Sequence, residues 1–144
     1  MSRQFSLAGL LRLRHLQQDE AAGQLASANA RLDSTSVQRN RARAALGATR
    51  ADVNSTESLY AMAAGRASMR SMLADLDSML VQQRAEAEAA TEAYGSARAK
   101  AVALEKLEAK HLQTVIVEEL HAEQSVIDEI ASTSWHTDRE GTRS

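Results

Sequence analysis

The sequence predicts an all-α protein, a long antiparallel hairpin of two coiled-coil helices. Its composition favours long helices, because none of the 144 residues is proline and aromatic residues make up only 3% of the chain. Alanine is the commonest residue, and leucine, arginine, glutamate and glutamine, which are good helix formers, are also frequent. With so few bulky side chains, we expect a narrow seam between helices rather than a thick core.

The second predicted helix, residues 68–131, carries the clearest pattern. Its apolar positions recur at alternating spacings of three and four residues, and only Gln83 interrupts them. They are Met69, Leu73, Leu76, Leu80, Ala87, Ala90, Tyr94, Ala97, Ala101 and Leu104. A repeat of about 3.5 residues held over this length is typical of a coiled-coil seam. The stretch would be roughly 90 Å long, so we expect its function to lie along its sides and at its ends.

The first predicted helix, residues 1–53, carries a weaker seam in which large and small residues alternate. The large residues are Leu11, Leu25, Leu32, Leu46, Val53 and, beyond the helix, Tyr60. The small residues between them include Ala21, Ala28, Ala42 and Ala63, while Gln18 and Arg39 interrupt the pattern. Alternation of leucine with alanine allows two helices to approach closely.

Helix-breaking residues cluster between the two helices. Asn54 and Glu57 have the spacing of a capping box, Gly65 suits the end of a helix, and Ser68 suits the start of the next. We therefore predict a hairpin connection at 54–67, with room for one short helix. Residues 132–144 are polar and aperiodic, which predicts a flexible tail.

Charge distinguishes a hairpin formed within one chain from a single unbroken helix that dimerises. The segment 31–50 is basic, whereas the segment 75–92 is acidic. Folding the chain near residue 61 brings these segments side by side, and opposite charges beside a seam set the orientation of pairing. Each exposed ion pair contributes well under about 1 kcal/mol, so the pattern indicates register rather than stability. It favours the intramolecular hairpin.

The sequence lacks the residues that catalysis or metal binding would need. It has no cysteine, no glycine-rich phosphate loop and no recognisable nucleophile or zinc motif. Glu108 with His111, and Glu118 with His121, have the spacing found in carboxylate-bridged metal sites. Both pairs lie on one helix, however, whereas such sites draw on different helices. We predict no enzyme activity, no metal and no cofactor.

Nucleic-acid and membrane binding find little support. The net charge of −2 gives no global attraction to nucleic acid, and no apolar run approaches the ~20 residues of a transmembrane helix. The segment 3–14 is too short and too charged for a signal peptide, so we expect the protein to stay in the compartment where it is made. The same segment could instead lie on a membrane as a basic amphipathic helix, although packing against a partner is favoured.

Apolar residues occupy more than one face of the helix from Leu104 onward. They are Leu104, Leu107, Leu112, Val115, Ile116, Val117 and Leu120. A two-helix hairpin needs only one apolar stripe, and additional apolar surface indicates a partner or self-association. A purely structural, self-associating coiled coil is therefore a second hypothesis.

Two short motifs at opposite ends of the chain resemble a known family. The first is Phe5-x-Leu7-x-x-Leu10-Leu11-x-Leu13-Arg14, followed by Asp19-Glu20-Ala21-Ala22 and Leu25-Ala26. The second is Leu104-Glu105-Lys106-Leu107, followed by Glu123-Gln124-x-x-x-Asp128-Glu129-x-Ala131. Together with the length, the two-helix layout and the absence of proline, these motifs make the chain similar to the FliJ family of flagellar export proteins.

This resemblance implies a non-enzymatic stalk of the flagellar type III export apparatus, similar to the central stalk of rotary ATPases. The paired ends of the two helices would bind a hexameric export ATPase and promote its assembly and activity. The other end would contact an export-gate membrane protein, and the protein would also help to recycle export chaperones. Its expected location is cytoplasmic, peripherally at the inner face of the cell membrane. The stalk of a virulence-type secretion system, which has the same architecture, is the alternative.

Carried over residue by residue, the resemblance implies two binding sites. The ATPase-binding end would comprise Phe5, Leu7, Leu10, Leu11, Arg14, Glu123, Gln124, Asp128 and Glu129. The export-gate surface would comprise Met72, Leu76, Met79 and Gln83. On this basis we expect Leu11→Asp to weaken stimulation of the ATPase without unfolding the hairpin.

Overall fold

The structure, a computed structural model, describes residues 4–48 and 54–142. Within these ranges it contains two α-helices and no β-strand. Helix α1 spans Ala8–Ala48 and helix α2 spans Thr56–Gly141. The two helices pack against each other as a helical hairpin, which confirms the predicted fold class.

The chain divides into two compact units. The first unit contains Met1–Arg14 and Lys100–Ser144, and the second contains His15–Ala99. Each unit therefore combines a segment of α1 with a segment of α2. A single helix cannot bury one of its own faces. The core of each unit therefore lies where its α1 segment meets its α2 segment.

The core of the second unit follows the heptad pattern closely. On α1 the less exposed positions include Gln18, Ala21, Leu25, Ala28, Leu32, Thr35, Arg39, Ala42 and Leu46. On α2 they include Met62, Arg66, Met69, Leu73, Leu76, Leu80, Gln83, Ala87, Ala90, Tyr94 and Ala97. Alternating spacings of three and four keep one stripe of each helix against its partner. Leu80 is the most buried large side chain of this core, at 1% exposure.

Polar residues also occupy positions in this seam. Thr35 is buried, and Gln18, Arg39 and Gln83 are partly buried at the positions where the sequence pattern was interrupted. The Nε atom of Arg39 and the Oε1 atom of Gln83 are buried without a hydrogen-bond partner among the described residues. Polar groups at seam positions lower stability but restrict the registers that two helices can adopt.

The start of α2 is stabilised by a reciprocal cap between Ser55 and Ser58. The Ser58 backbone N–H donates to Ser55 Oγ, and the Ser55 backbone N–H donates to Ser58 Oγ, both at 3.1 Å. These bonds satisfy backbone donors that the first turn of a helix leaves without intrahelical partners. A capping box therefore begins this helix, one residue later than the predicted pair of Asn54 and Glu57.

Helix α2 is longer at both ends than predicted. Residues 56–67, which were assigned to the connection, are helical, and so are residues 132–141, which were assigned to a tail. Tyr60 and Ala63 consequently belong to α2 and are exposed rather than part of the α1 seam. Val53, the other predicted seam residue of this region, lies outside the described residues.

The threonine hydroxyls of the polar end of α2 find hydrogen-bond acceptors within the helix itself. Thr133 Oγ1 donates to the carbonyl of Glu129 at 2.8 Å, and Thr137 Oγ1 donates to the carbonyl of Thr133 at 2.9 Å. Both hydroxyls thus bond to the carbonyl four residues earlier, one of the arrangements that a threonine inside a helix can adopt. The Arg139 guanidinium carbon lies 4.5 Å from the centre of the Trp135 ring, which adds a cation–π contact between successive turns.

Two ion pairs show which residues of α1 and α2 lie beside each other in the second unit. Arg31 Nη2 lies 3.9 Å from Glu86 Oε2, and Arg39 Nη1 lies 3.6 Å from Asp77 Oδ1. The basic segment of α1 therefore lies beside the acidic segment of α2, as the charge pattern predicted. In each pair, however, the midpoint of the sequence between the two partners lies close to Ser58 rather than near residue 61. The predicted fold point was thus displaced by about one helical turn.

Candidate interaction surfaces

The first unit holds the N-terminal segment against α2. The ring of Phe5 lies 5.6 Å from the ring of His111, at an interplanar angle of 46°. The Ala8 backbone N–H donates to the Phe5 carbonyl at 3.1 Å, so the chain enters α1 directly after this contact. Leu11 and Ala101, at 6% and 0% exposure, form the core beside it. His111 lies seven residues after Leu104 and continues the repeat of α2, whereas Phe5 precedes α1 and had no signal in its heptad pattern.

The predicted ATPase-binding residues of the N-terminal segment differ in accessibility. Leu7 and Leu10 are both exposed at 37%, whereas Leu11 is buried in the core of the unit. Phe5 and Arg14 are partly exposed. Among the predicted ATPase-binding leucines of this segment, Leu7 and Leu10 are therefore the two that present apolar surface to a partner.

The predicted ATPase-binding residues of α2 lie in the same unit. Glu123, Gln124, Asp128 and Glu129 are all exposed. The side-chain amide of Gln124 donates to Asp128 Oδ1 at 3.0 Å, a bond between successive turns of the helix. Along α2 this group begins twelve residues after His111, roughly 18 Å at the rise of an α-helix. The first unit thus contains both the N-terminal and the α2 groups of predicted ATPase-binding residues, and the two groups lie at different positions along the length of α2.

The predicted export-gate surface lies in the second unit and divides into two parts. Met72 and Met79 are exposed, and flexible thioether side chains suit an adaptable contact surface. Leu76 and Gln83, in contrast, are partly buried positions of the seam. A partner could reach the two methionines directly, but it would reach Leu76 and Gln83 only at the edge of the seam.

The structure also exposes apolar residues that are not among the predicted site residues. They are Leu13, Leu107, Leu112, Ile116, Val117, Leu120, Val126, Ile127, Ile130 and Trp135 in the first unit. The sequence signal was present, because apolar residues after Leu104 occupy more than one helix face. The residues beyond Leu120 were overlooked, since they follow the point where the seam pattern ends.

Two other kinds of site, a metal centre and a membrane-spanning helix, find no support among the described residues. Residues 4–48 and 54–142 contain no group of three or more side chains placed to hold a metal ion. Neither helix, over the part of the chain that the structure describes, is long and apolar enough to cross a membrane. The geometry defines an α-helical hairpin whose accessible features are side-chain surfaces along its helices, which is the architecture of a coiled-coil interaction protein.

The particular family follows from comparison with known proteins. Residues 3–140 match the family described as flagellar FliJ protein, and the chain belongs to this family. It is accordingly a component of the flagellar export apparatus. No curated protein and no solved structure shows a significant match to the chain.

Proposed function

We propose that this protein is a stalk of the flagellar type III export apparatus, and that its first unit docks on the hexameric export ATPase. Docking promotes assembly and activity of the ATPase ring. The observation that supports this role is that one compact unit contains both the N-terminal segment and the C-terminal half of α2. All nine predicted ATPase-binding residues belong to that unit.

The proposal assigns the second unit a different partner. Met72 and Met79 contact the export-gate membrane protein, and this contact brings the chain to the cytoplasmic side of the membrane. Support comes from the exposure of both methionines on one helix, seven residues apart and therefore on one face. Export chaperones are further partners, recycled through the same apparatus.

The ATPase docking site is best tested by Leu10→Asp. Leu10 is 37% exposed, so the substitution changes the surface of the first unit and leaves its core intact. Loss of an apolar contact and introduction of a charge into the interface should weaken binding by about tenfold or more. The measurement is the stimulation of ATP hydrolysis by the purified export ATPase as the concentration of the full chain is raised. Leu11→Asp is unsuitable, because Leu11 is buried and its substitution would disturb the unit itself.

Leu16→Asp provides the matched control. Leu16 is an exposed leucine of the same helix, but it belongs to the second unit. We expect this variant to stimulate the ATPase like the unmodified chain. Equal stimulation by Leu10→Asp and the unmodified chain would contradict docking through the first unit.

Self-association is the second candidate function, because the first unit exposes much apolar surface. A purely structural coiled coil would cover this surface with another copy of the same chain. Sedimentation distinguishes the two functions: a stalk that inserts into a ring is expected to be monomeric before docking, whereas a self-associating spacer forms dimers or larger assemblies. The family match favours the export role.

A further inference from the structure

The C-terminal part of α2 has an apolar face that no other described residue covers. Ile116, Leu120, Ile127 and Ile130 follow one another at spacings of four, seven and three residues, which places them along one side of the helix. Their exposed fractions lie between 56% and 63%. Val126 and Ile127 also line a shallow surface depression together with Ala122 and Glu123. We call this surface the distal face.

The lengths of the helical segments explain why the distal face stays open. In the first unit α1 contributes only residues 8–14, which span roughly 10 Å, whereas residues 100–141 of α2 span roughly 60 Å. The seam with α1 lies around Leu104, and every described residue from Ile116 onward is exposed. An apolar face of this extent is uncommon on a surface that has no partner.

The charge around the distal face is of one sign. Residues 111–138 contain no lysine or arginine. Their acidic residues are Glu118, Glu119, Glu123, Asp128, Glu129 and Asp138. The first cation beyond this segment, Arg139, lies over the ring of Trp135. A partner that covers the face therefore meets several carboxylates and no strong cation from this segment.

The position of Glu123 specifies where a partner must place a positive charge. This residue lies within the apolar stripe, three residues after Leu120 and four before Ile127. Covering its carboxylate with an apolar surface would remove it from water without compensation, which is costly. A partner therefore needs a cation opposite Glu123 and apolar side chains on both sides of that cation.

We propose that the distal face binds an amphipathic helix of a partner protein, with an apolar stripe flanked by lysine or arginine and one of these cations opposite Glu123. This inference states the chemistry of a partner for part of the ATPase-docking unit, and it rests on the proposed function for the idea that this unit docks. A helix laid along a helix matches the spacing of the four apolar residues. Electrostatic attraction orients the pair.

The same charges disfavour the other possible occupants. In a second copy of this chain, the same face would place Glu123 against like charges, and residues 111–138 supply no lysine or arginine to neutralise them. A membrane surface rich in anionic lipid would likewise be repelled. A basic helix is the occupant that satisfies both the apolar stripe and the carboxylates.

Two synthetic peptides test the proposal on the full chain. One is an amphipathic helix of leucine and lysine, and the other has glutamate in place of every lysine. Fluorescence anisotropy of the labelled peptides gives their affinities, and the intrinsic fluorescence of Trp135, the only tryptophan, reports binding near the distal face. We expect the lysine peptide to bind at least about tenfold more tightly, with an affinity that falls as salt is raised.

Two variants separate docking from unspecific attraction. Ile127→Asp makes the chain more negative, so general attraction of the lysine peptide would increase, whereas docking on the distal face predicts a loss of about tenfold. Glu123→Lys should reduce the ratio between the affinity for the lysine peptide and the affinity for the glutamate peptide. The control is Val81→Asp, which adds the same charge at an exposed apolar position of the second unit and should retain normal binding. Circular dichroism verifies that each variant keeps its helix content.

Several outcomes would overturn the proposal. They are equal affinity for the two peptides, unchanged or tighter binding of the lysine peptide by Ile127→Asp, and a dimer of the free chain that Ile127→Asp abolishes. The last outcome would assign the face to a second copy. Because these measurements use no ATPase, a negative result leaves the ATPase-stimulation test of the proposed function unaffected. Suppose that Leu10→Asp loses stimulation of the ATPase while the two peptides bind the unmodified chain equally. The proposal that the first unit docks on the ATPase would then stand, and the proposal of a basic helical partner would be rejected.

Discussion

Replacing Leu80 with alanine is expected to lower the free energy of unfolding by about 2–5 kcal/mol. Leu80 is the most buried large side chain of the second unit, at 1% exposure. A hairpin of two helices has few layers of side chains that could move into the space left behind, so the loss of apolar contact is accompanied by a cavity. Urea denaturation followed by circular dichroism at the helical signal measures the change.

The neighbouring residue provides the control for this substitution. Val81 is 68% exposed on the same helix, and Val81→Ala should change the stability by no more than about 0.5 kcal/mol. Equal, small effects of Leu80→Ala and Val81→Ala would mean that Leu80 faces solvent. The seam would then lie on a different side of α2.

Ala101→Leu is expected to destabilise the first unit by about 1–3 kcal/mol through overpacking. Ala101 has no exposed surface, and a small residue at this position lets α1 and α2 approach closely. Three additional carbon atoms would push the N-terminal segment away from α2 and weaken the contact of Phe5 with His111. Hydrogen exchange should report faster exchange of the backbone amides of residues 11–14.

The specificity of this effect can be tested on the same turn of α2. Ala103 lies two residues further along and is exposed, so Ala103→Leu adds the same atoms on the outer side of the helix. This variant should leave amide exchange in α1 unchanged. If Ala101→Leu also leaves it unchanged, the N-terminal segment does not pack on α2 at Ala101.

The seam of α2 could be predicted from the sequence because burial in a coiled coil follows residue spacing directly. Leu73, Leu76, Leu80 and Ala87 are all at positions where the structure reduces exposure, as the alternating spacings predicted. Gln83 and Arg39 appeared to interrupt the pattern, yet both occupy the seam. The geometry of the helix, rather than the polarity of each residue, decides which positions face the partner.

The ends of α2 could not be predicted as well, because the local signals at these points were ambiguous. Gly65 and Ser68 suggested a break, but a glycine inside a helix costs only about 1 kcal/mol, and alanine-rich neighbours favour continuation. The Ser/Thr-rich segment after Ala131 resembled a tail. Its threonines instead donate to carbonyls of the preceding turn, an arrangement that composition does not show.

The register was predicted only approximately, for an energetic reason. The basic segment 31–50 and the acidic segment 75–92 are long, so several alignments place opposite charges side by side. Each exposed ion pair contributes less than about 1 kcal/mol, too little to choose among alignments that differ by one turn. Selection of the register falls to seam packing, in which Thr35 and Leu80 are the most buried polar and apolar residues of the second unit.

The predicted binding residues came from motif resemblance, and the structure adds their accessibility. A motif does not distinguish a residue that contacts a partner from one that supports the fold. Leu10 and Leu11 are neighbours in the same motif, but only Leu10 presents a substantial surface. The apolar residues of the distal face were not among the predicted binding residues, although Glu123 between them was, because their stripe follows a different side of α2 from the seam.

The distance between spin labels at Gln24 and Ala93 tests the antiparallel hairpin most directly. Both residues line the same groove of the second unit, and the absence of native cysteine allows two cysteines to be introduced and labelled alone. Helices in contact are about 8–10 Å apart, so the hairpin predicts a short distance that persists when labelled protein is diluted with unlabelled protein. An unbroken helix would separate the two positions by roughly 100 Å. A distance of that order, or a short distance that disappears on dilution, would contradict the hairpin.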